Sequence, residues 1–185
     1  MPVLKNKSVF SYGKINIGLK ILSHLPDGYH QISTNMQEID FYDEIHIFQQ
    51  GDMDDITLNV SGPIQVPSDE SNLCIQSARL IFNLFKIKNG IEIHLKKNIP
   101  IGAGLGGGSS NAANILLLLN ELYDLQISEN ELINISKELG SDVPFFIKGG
   151  LQQCLGKGEI LHPIQNKISN YFVLLVFPSF HISTK

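Results

Sequence analysis

The chain has 185 residues, 43% of them hydrophobic, and a net charge of −4, enough to bury the core of one domain or of a domain plus a fragment. The acidic balance, with Arg79 as its one arginine, argues against a nucleic-acid surface, which announces itself as clustered Lys and Arg. The longest apolar runs, 115–119 and 172–177, are far too short to span a bilayer, and the N-terminus lacks a secretory apolar region, so no membrane is expected and the compartment is the cytoplasm.

Loose apolar alternation over residues 9–22 predicts a half-buried strand. Residues 44–48 predict another, with Ile45 and Ile47 on one face and Phe41 nearby, as do residues 56–60. Residues 72–87 carry apolar side chains at Leu73, Leu80, Ile81, Leu84 and Phe85 and meet a stop signal at Asn89-Gly90, which predicts an amphipathic helix. Ile91, Ile93 and Leu95 then alternate with Glu92, His94 and Lys96 in a strand that feeds a glycine-rich loop from Pro100. That loop feeds a helix over residues 111–123. Ser128 and Glu131 form a capping box for a short helix through Leu132, Ile135 and Leu139, which Gly140 ends. Ser141 or Asp142 caps one more short helix, with Pro144 in its first turn and Ile147 near its end, before Gly149-Gly150 turns the chain. A hairpin about Gly156-Lys157-Gly158 and an apolar strand over residues 171–177 complete an α+β two-layer domain without internal repeats.

The most informative segment is the loop Pro100-Ile101-Gly102-Ala103-Gly104-Leu105-Gly106-Gly107-Gly108-Ser109-Ser110. Glycine lets the backbone take positive φ and approach a ligand without Cβ interference. The helix that follows offers unpaired N–H groups and the positive end of its dipole, so the segment reads as a phosphate cradle. Gly102, Gly104 and Gly107 also fit the dinucleotide spacing G-x-G-x-x-G, but the acidic residue at the right distance, Glu121, falls near the end of a helix and not after a strand. A nicotinamide-dependent oxidoreductase therefore rests on the glycine spacing alone. The P-loop pattern fails because Gly107 is followed by Gly108-Ser109 where Lys-Ser or Lys-Thr belongs. Cys74 and Cys154 lie far apart without CxxC spacing and read as buried free thiols. The histidines at 24, 30, 46, 94, 162 and 181 show no metal-ligand spacing, so no protein-held metal is expected.

Three further segments carry ionisable or stacking groups in loops: Lys14-Ile15-Asn16, Pro26-Asp27-Gly28-Tyr29-His30 and Gly140-Ser141-Asp142-Val143-Pro144. Together with the glycine loop, and in this order, they resemble the GHMP small-molecule kinases. The segment through Tyr29 and His30 narrows the likeness to members that act on 4-diphosphocytidyl-2-C-methyl-D-erythritol in non-mevalonate isoprenoid biosynthesis. The resemblance implies the fold of the GHMP kinase N-terminal domain, like the second domain of ribosomal protein S5, with a mixed sheet and a left-handed βαβ unit. It implies ATP-dependent phosphorylation of the 2-hydroxyl of that cytidine diphosphate substrate, with Mg2+ accompanying ATP to neutralise its β- and γ-oxygens.

The site residues follow from the same likeness. Asp142 is the expected base, though by its position it also reads as a helix N-cap. Lys14 is expected beside the acceptor hydroxyl, holding developing charge. Asn16, Tyr29 and His30 are expected on the substrate, the tyrosine by stacking on the cytosine and the histidine by hydrogen bonds to its edge. Asn72 and Lys97 are expected near adenine and ribose, and Pro100, Gly102, Gly104, Gly106, Gly107, Gly108, Ser109 and Ser110 around the phosphates. Measured against the family pattern, residues 1–168 read as the N-terminal ATP-binding domain and residues 169–185 as the opening of a second one. A glycine-rich motif of that second domain is missing, so the rival expectation is a fragment that binds nucleotide or cytidine without turnover.

Overall fold

In the computed structural model, described over residues 4–24, 28, 30–51, 55–165 and 171–177, a six-stranded mixed sheet carries four helices. Strands β1 (Asn6–His24) and β2 (His30–Gln49) form a long antiparallel hairpin. The other strands are β3 (Ile56–Ser61), β4 (Ile91–Lys96), β5 (Leu151–Gly156) and β6 (Ile160–Pro163). Their order is β3-β4-β2-β5-β6, with β1 paired to β2. β4 pairs with residues 44–49 of β2 and β5 with residues 32–37. β3 and β4 are parallel, joined through helix α1 (Leu73–Phe85) in a βαβ unit.

The inward face of the hairpin changes parity along its length. Near its open end Asp43, Ile45 and Ile47 face the main core, but further along Thr34 and Met36 do. The cause is a register shift: Tyr12 pairs with Tyr42, whereas Gly13 pairs with Ile39. Side chains alternate with period 2, so a bulge re-aims every residue beyond it. Ile39 and Phe41 pass to a second, smaller cluster with Ile15, Ile99 and Leu105. Lys14, just past the shift, is turned toward the end of the glycine loop, and Asn16 toward Lys14.

Helix α2 (Gly107–Leu122) is the central core element, burying Ala112, Ala113, Ile115, Leu116 and Leu119. It starts at Gly107, not at Asn111 as the apolar run predicts. Gly106, at φ 67, sets the turn, and the low helix propensity of Gly107 and Gly108 is overridden by packing. Helix α1 buries Cys74, Ile75, Ala78, Ile81 and Phe82, while Leu84 and Phe85 of the predicted apolar face lie in solvent. Its end is set by Lys86 at φ 54, ahead of the predicted Asn89-Gly90 stop. Helix α3 (Glu129–Ser136) opens on the capping box read from the sequence, with both reciprocal bonds of Ser128 and Glu131 made. Helix α4 (Val143–Lys148) follows Asp142 directly and packs on α2 and α3. Residues 171–177 form no strand. They have no ladder partner among the described residues, and Phe172, Leu174 and Val176 are exposed while Leu175 touches the smaller cluster.

Candidate active site

The loop after β4 and the first turn of α2 form one wall of an open groove of about 410 Å³. Pro100, Gly102, Gly104, Gly106, Gly107, Gly108 and Ser109 line it, and Asn72, Lys97, Val66 and Pro67 complete it. Gly102, Gly104 and Gly106 take φ of 71, 73 and 67, the left-handed region that L side chains rarely adopt. At Gly107 a Cβ would stand 2.8 Å from Ile99 and 2.9 Å from Lys97 Nζ, so the close approach of helix and loop requires glycine there. No side chain caps α2, which leaves its first-turn amides and dipole directed at the groove. This is the geometry of an anion cradle.

Asn72 is the N-cap of α1: its Oδ1 accepts from Cys74 N–H at 2.9 Å and its amide donates to Pro67 O at 2.7 Å. Ser110 departs from its loop neighbours. It is fully buried, and its hydroxyl meets Ser11 Oγ at 2.8 Å, away from the groove. Lys97 is 3% exposed and ion-paired with Asp43 at 2.5 Å, so the lysine is held within the protein although it forms part of the groove wall.

Asp43 is the functional-site residue that sequence reading passed over. It is fully buried. Its Oδ1 accepts from the backbone N–H groups of Asn98 (2.7 Å) and Ile99 (2.8 Å), and its Oδ2 accepts from Lys97 Nζ and from Asn111 Nδ2 (2.9 Å). A signal was present: Asp43 shares the parity of Ile45 and Ile47, and a carboxylate on an apolar face demands partners.

A second cluster lies where the glycine loop ends. Lys14, 6% exposed, donates from Nζ to Asn16 Oδ1 at 2.6 Å and stands 3.4 Å from Asp142 Oδ2. Asn16 in turn donates to Thr34 Oγ1 at 3.0 Å. Asp142 occupies the N-cap position of α4, yet its side chain makes no capping hydrogen bond and faces Lys14 instead. The turn at Gly158 passes beside it, with the Cβ site 3.7 Å from Asp142 Oδ1. Cluster and loop are contiguous. Lys14 N–H donates to Leu105 O at 2.9 Å, and a Cβ on Gly106 would lie 3.2 Å from Lys14 Cε.

His30 is not brought into this cluster. It opens β2 and packs its ring on that of His24 at 4.1 Å. It lies eight residues along the strand from Glu38, the partner of Lys14, up to about 27 Å away when extended. Tyr29 lies outside the described residues. Glu121 lies in α2, about 21 Å along the helix from its glycine-rich start, and not after a strand as the dinucleotide pattern requires; it ion-pairs with Lys7 at 2.9 Å. Both cysteines are free and buried. Burial pushes the Cys74 thiol up to about 12 and that of Cys154 up to about 11. Among the described residues no group of three His, Cys, Asp or Glu side chains converges as a metal site, and no helix is long and apolar enough to cross a membrane.

Residues 72–150 match the family model of the GHMP kinases N-terminal domain. A protein of Prochlorococcus marinus (strain MIT 9515) named 4-diphosphocytidyl-2-C-methyl-D-erythritol kinase is 45% identical over 177 residues, which cover 95% of this chain and 56% of that one. One of the same name from Caldicellulosiruptor saccharolyticus is 41% identical, with coverage of 95% and 59%. The chain thus spans little more than half the length of these relatives. Among solved structures, a 4-(cytidine 5'-diphospho)-2C-methyl-D-erythritol kinase superposes with a TM-score of 0.71 at 33% identity, over 85% of this chain and 55% of that one. Homoserine kinase from Cytophaga hutchinsonii shares the fold at 20% identity and a TM-score of 0.62.

Proposed function

This chain belongs to the GHMP kinases, whose N-terminal domain it carries, and from that premise we propose that it binds ATP in the groove beneath the glycine loop. The transfer proposed is that of the γ-phosphoryl group to the 2-hydroxyl of 4-diphosphocytidyl-2-C-methyl-D-erythritol, in isoprenoid precursor biosynthesis in the cytoplasm. The observation that carries this reading is the 3.4 Å approach of Lys14 to Asp142 beside Gly106. An acceptor hydroxyl there is within reach of a base and a cation, at the end of the loop that would hold the phosphates.

In this reading Asp142 accepts the hydroxyl proton, since its carboxylate is not spent on capping α4. Lys14 stabilises the charge that develops on the acceptor oxygen, and Asn16 holds the ammonium in place through its 2.6 Å hydrogen bond. The α2 amides and the loop backbone hold the phosphates in line, the dominant contribution in phosphoryl transfer. Mg2+ bound with ATP supplies further neutralisation of the phosphate oxygens. The donor set suits a metal carried mainly by those oxygens: Ser109 lines the groove with its hydroxyl available, whereas that of Ser110 is committed to Ser11. The cytidine end of the acceptor is assigned to Tyr29 and His30.

Nucleotide binding without turnover is the second reading, favoured by the openness of the groove. An open groove leaves a reacting phosphate in contact with water. A coupled ADP-release assay with Mg-ATP and the cytidine diphosphate substrate, on this chain and on Asp142→Asn, separates the two. Turnover that vanishes in the variant supports the kinase. Calorimetric binding of ADP without turnover supports the second reading, and the absence of both overturns the proposal for this chain.

A further inference from the structure

Asp43 takes no part in the chemistry above, yet it ties together more of the groove than any residue assigned to it. Its carboxylate, with no solvent exposure, sits on β2 and receives four donors from two other segments: the chain at Lys97, Asn98 and Ile99 that enters the glycine loop, and the start of α2 through Asn111. Asn111 extends the network to Ser11 Oγ at 2.9 Å, and Ser11 reaches Ser110 at 2.8 Å. An ionised carboxylate only accepts, so four converging donors match it fully, and the buried Lys97 ammonium matches its charge.

We propose that Asp43 is the positioning residue of the nucleotide groove, fixing the relation between the loop entry at 98–99 and the helix start at 107–111 so that the phosphate cradle is formed before a ligand arrives. The far end of the loop is pinned independently by Lys14 N–H on Leu105 O. Asp43 also holds Lys97 against Gly107, where the Cβ site is 2.9 Å from Nζ. The lysine charge therefore sits under the cradle as a fixed, compensated group. The ligand in this inference rests on the nucleotide reading above, while the positioning rests on loop geometry alone.

The test exploits donor–acceptor sense. Asp43→Asn keeps Oδ1 for the two backbone N–H groups but turns an amide NH₂ against two donors, Lys97 and Asn111. Asn111→Asp sets two carboxylates against each other. The double variant Asp43→Asn with Asn111→Asp restores donor–acceptor sense between positions 43 and 111 and the net charge at nearly unchanged volume, while Lys97 still faces an amide as it does in Asp43→Asn, and a role in mere filling would not be rescued by it. Two quantities are read on the whole chain: calorimetric affinity for Mg-ADP, and amide hydrogen exchange in residues 98–111 without ligand.

Each single variant is expected to bind Mg-ADP about tenfold more weakly, as for loss of a hydrogen bond to a charged group. Each is also expected to exchange faster across residues 98–111, with the double variant recovering part of the loss seen in Asp43→Asn on both measures. Single variants that fail to fold beside a double variant that folds support the same pairing. Folded single variants with wild-type exchange in 98–111, or a double variant no better than Asp43→Asn, overturn the proposal. Should the wild type fail to bind Mg-ADP, the nucleotide reading falls and exchange alone decides the role of Asp43.

Discussion

Lys14 Nζ stands 3.4 Å from Asp142 Oδ2, and the two residues are brought there by different devices. Lys14 is aimed by the register shift after Tyr12, and Asp142 by its place at the start of α4, where its side chain is left free. Asparagine caps a helix as well as aspartate does, so Asp142→Asn would spare a cap and removes only the carboxylate beside Lys14; it is expected to lower any phosphoryl transfer by about 10²–10⁴-fold. Because this side chain makes no capping bond, Asp142→Ala is expected to unfold within about 0.5 kcal/mol of Asp142→Asn. Urea denaturation of both variants beside the coupled assay checks this. A gap between them near the ~1 kcal/mol of a lost cap would return Asp142 to a structural role.

The two glycines that look alike in sequence are not alike in space. Gly104 and Gly106 both have positive φ, 73 and 67, but a Cβ on Gly104 meets nothing, whereas one on Gly106 stands 2.8 Å from the Phe146 ring. Gly104→Ala is expected to cost only the left-handed strain, about 1–2 kcal/mol. Gly106→Ala adds a clash in a packed region and is expected to cost about 1–3 kcal/mol more. It also displaces Lys14, whose Cε lies 3.2 Å from the Cβ site, so its effect on turnover should exceed its effect on stability. Equal stabilities for the two variants would show that Phe146 yields at little cost.

Local signals were legible in the sequence where the physics is local. The Ser128–Glu131 box, the β4 alternation and the hairpin turn at residues 156–158 each depend on residues within a few positions, and each is found as read. Asp43 was illegible for the opposite reason: its partners Lys97 and Asn111 come from distant segments, and only the parity shared with Ile45 and Ile47 hinted at burial. The reach of β2 back to His30 was hidden because the register shift breaks its alternation midway. Residues 171–177 have the composition of a strand but no sheet edge beside them among the described residues, and composition cannot supply a partner.

Asn72 combines a cap with a place on the groove wall. Asn72→Ala removes the bond to Cys74 N–H and the tie to Pro67 O, which together hold the groove margin against α1. The expected cost is about 1 kcal/mol, visible as a lower urea midpoint. Asn72→Asp keeps the cap but loses the donor to Pro67 O, so it should restore most of the stability. If Asn72→Asp is as unstable as Asn72→Ala, the tie to Pro67 outweighs the cap.

The buried thiols make stability sensitive to alkaline pH. Burial raises Cys74 to about 12 and Cys154 to about 11, which means the folded protein favours the neutral thiol. Below the unfolded value of about 8.5 both states hold the proton and the contribution to stability is complete. As pH climbs above that, the unfolded chain ionises while the folded one does not, so stability falls by up to about 1.4 kcal/mol per pH unit for each thiol, until the folded values are reached. Lysines and tyrosines titrate in the same range, so the test is a difference. Urea unfolding is followed from pH 7.5 to 10 for the wild type and for Cys74→Ala with Cys154→Ala. The double variant starts lower, because cavities replace the sulfurs, but its stability is expected to decline less steeply with pH. Parallel slopes would mean that the thiols ionise in the folded protein as readily as in the unfolded chain, and that their surroundings admit water.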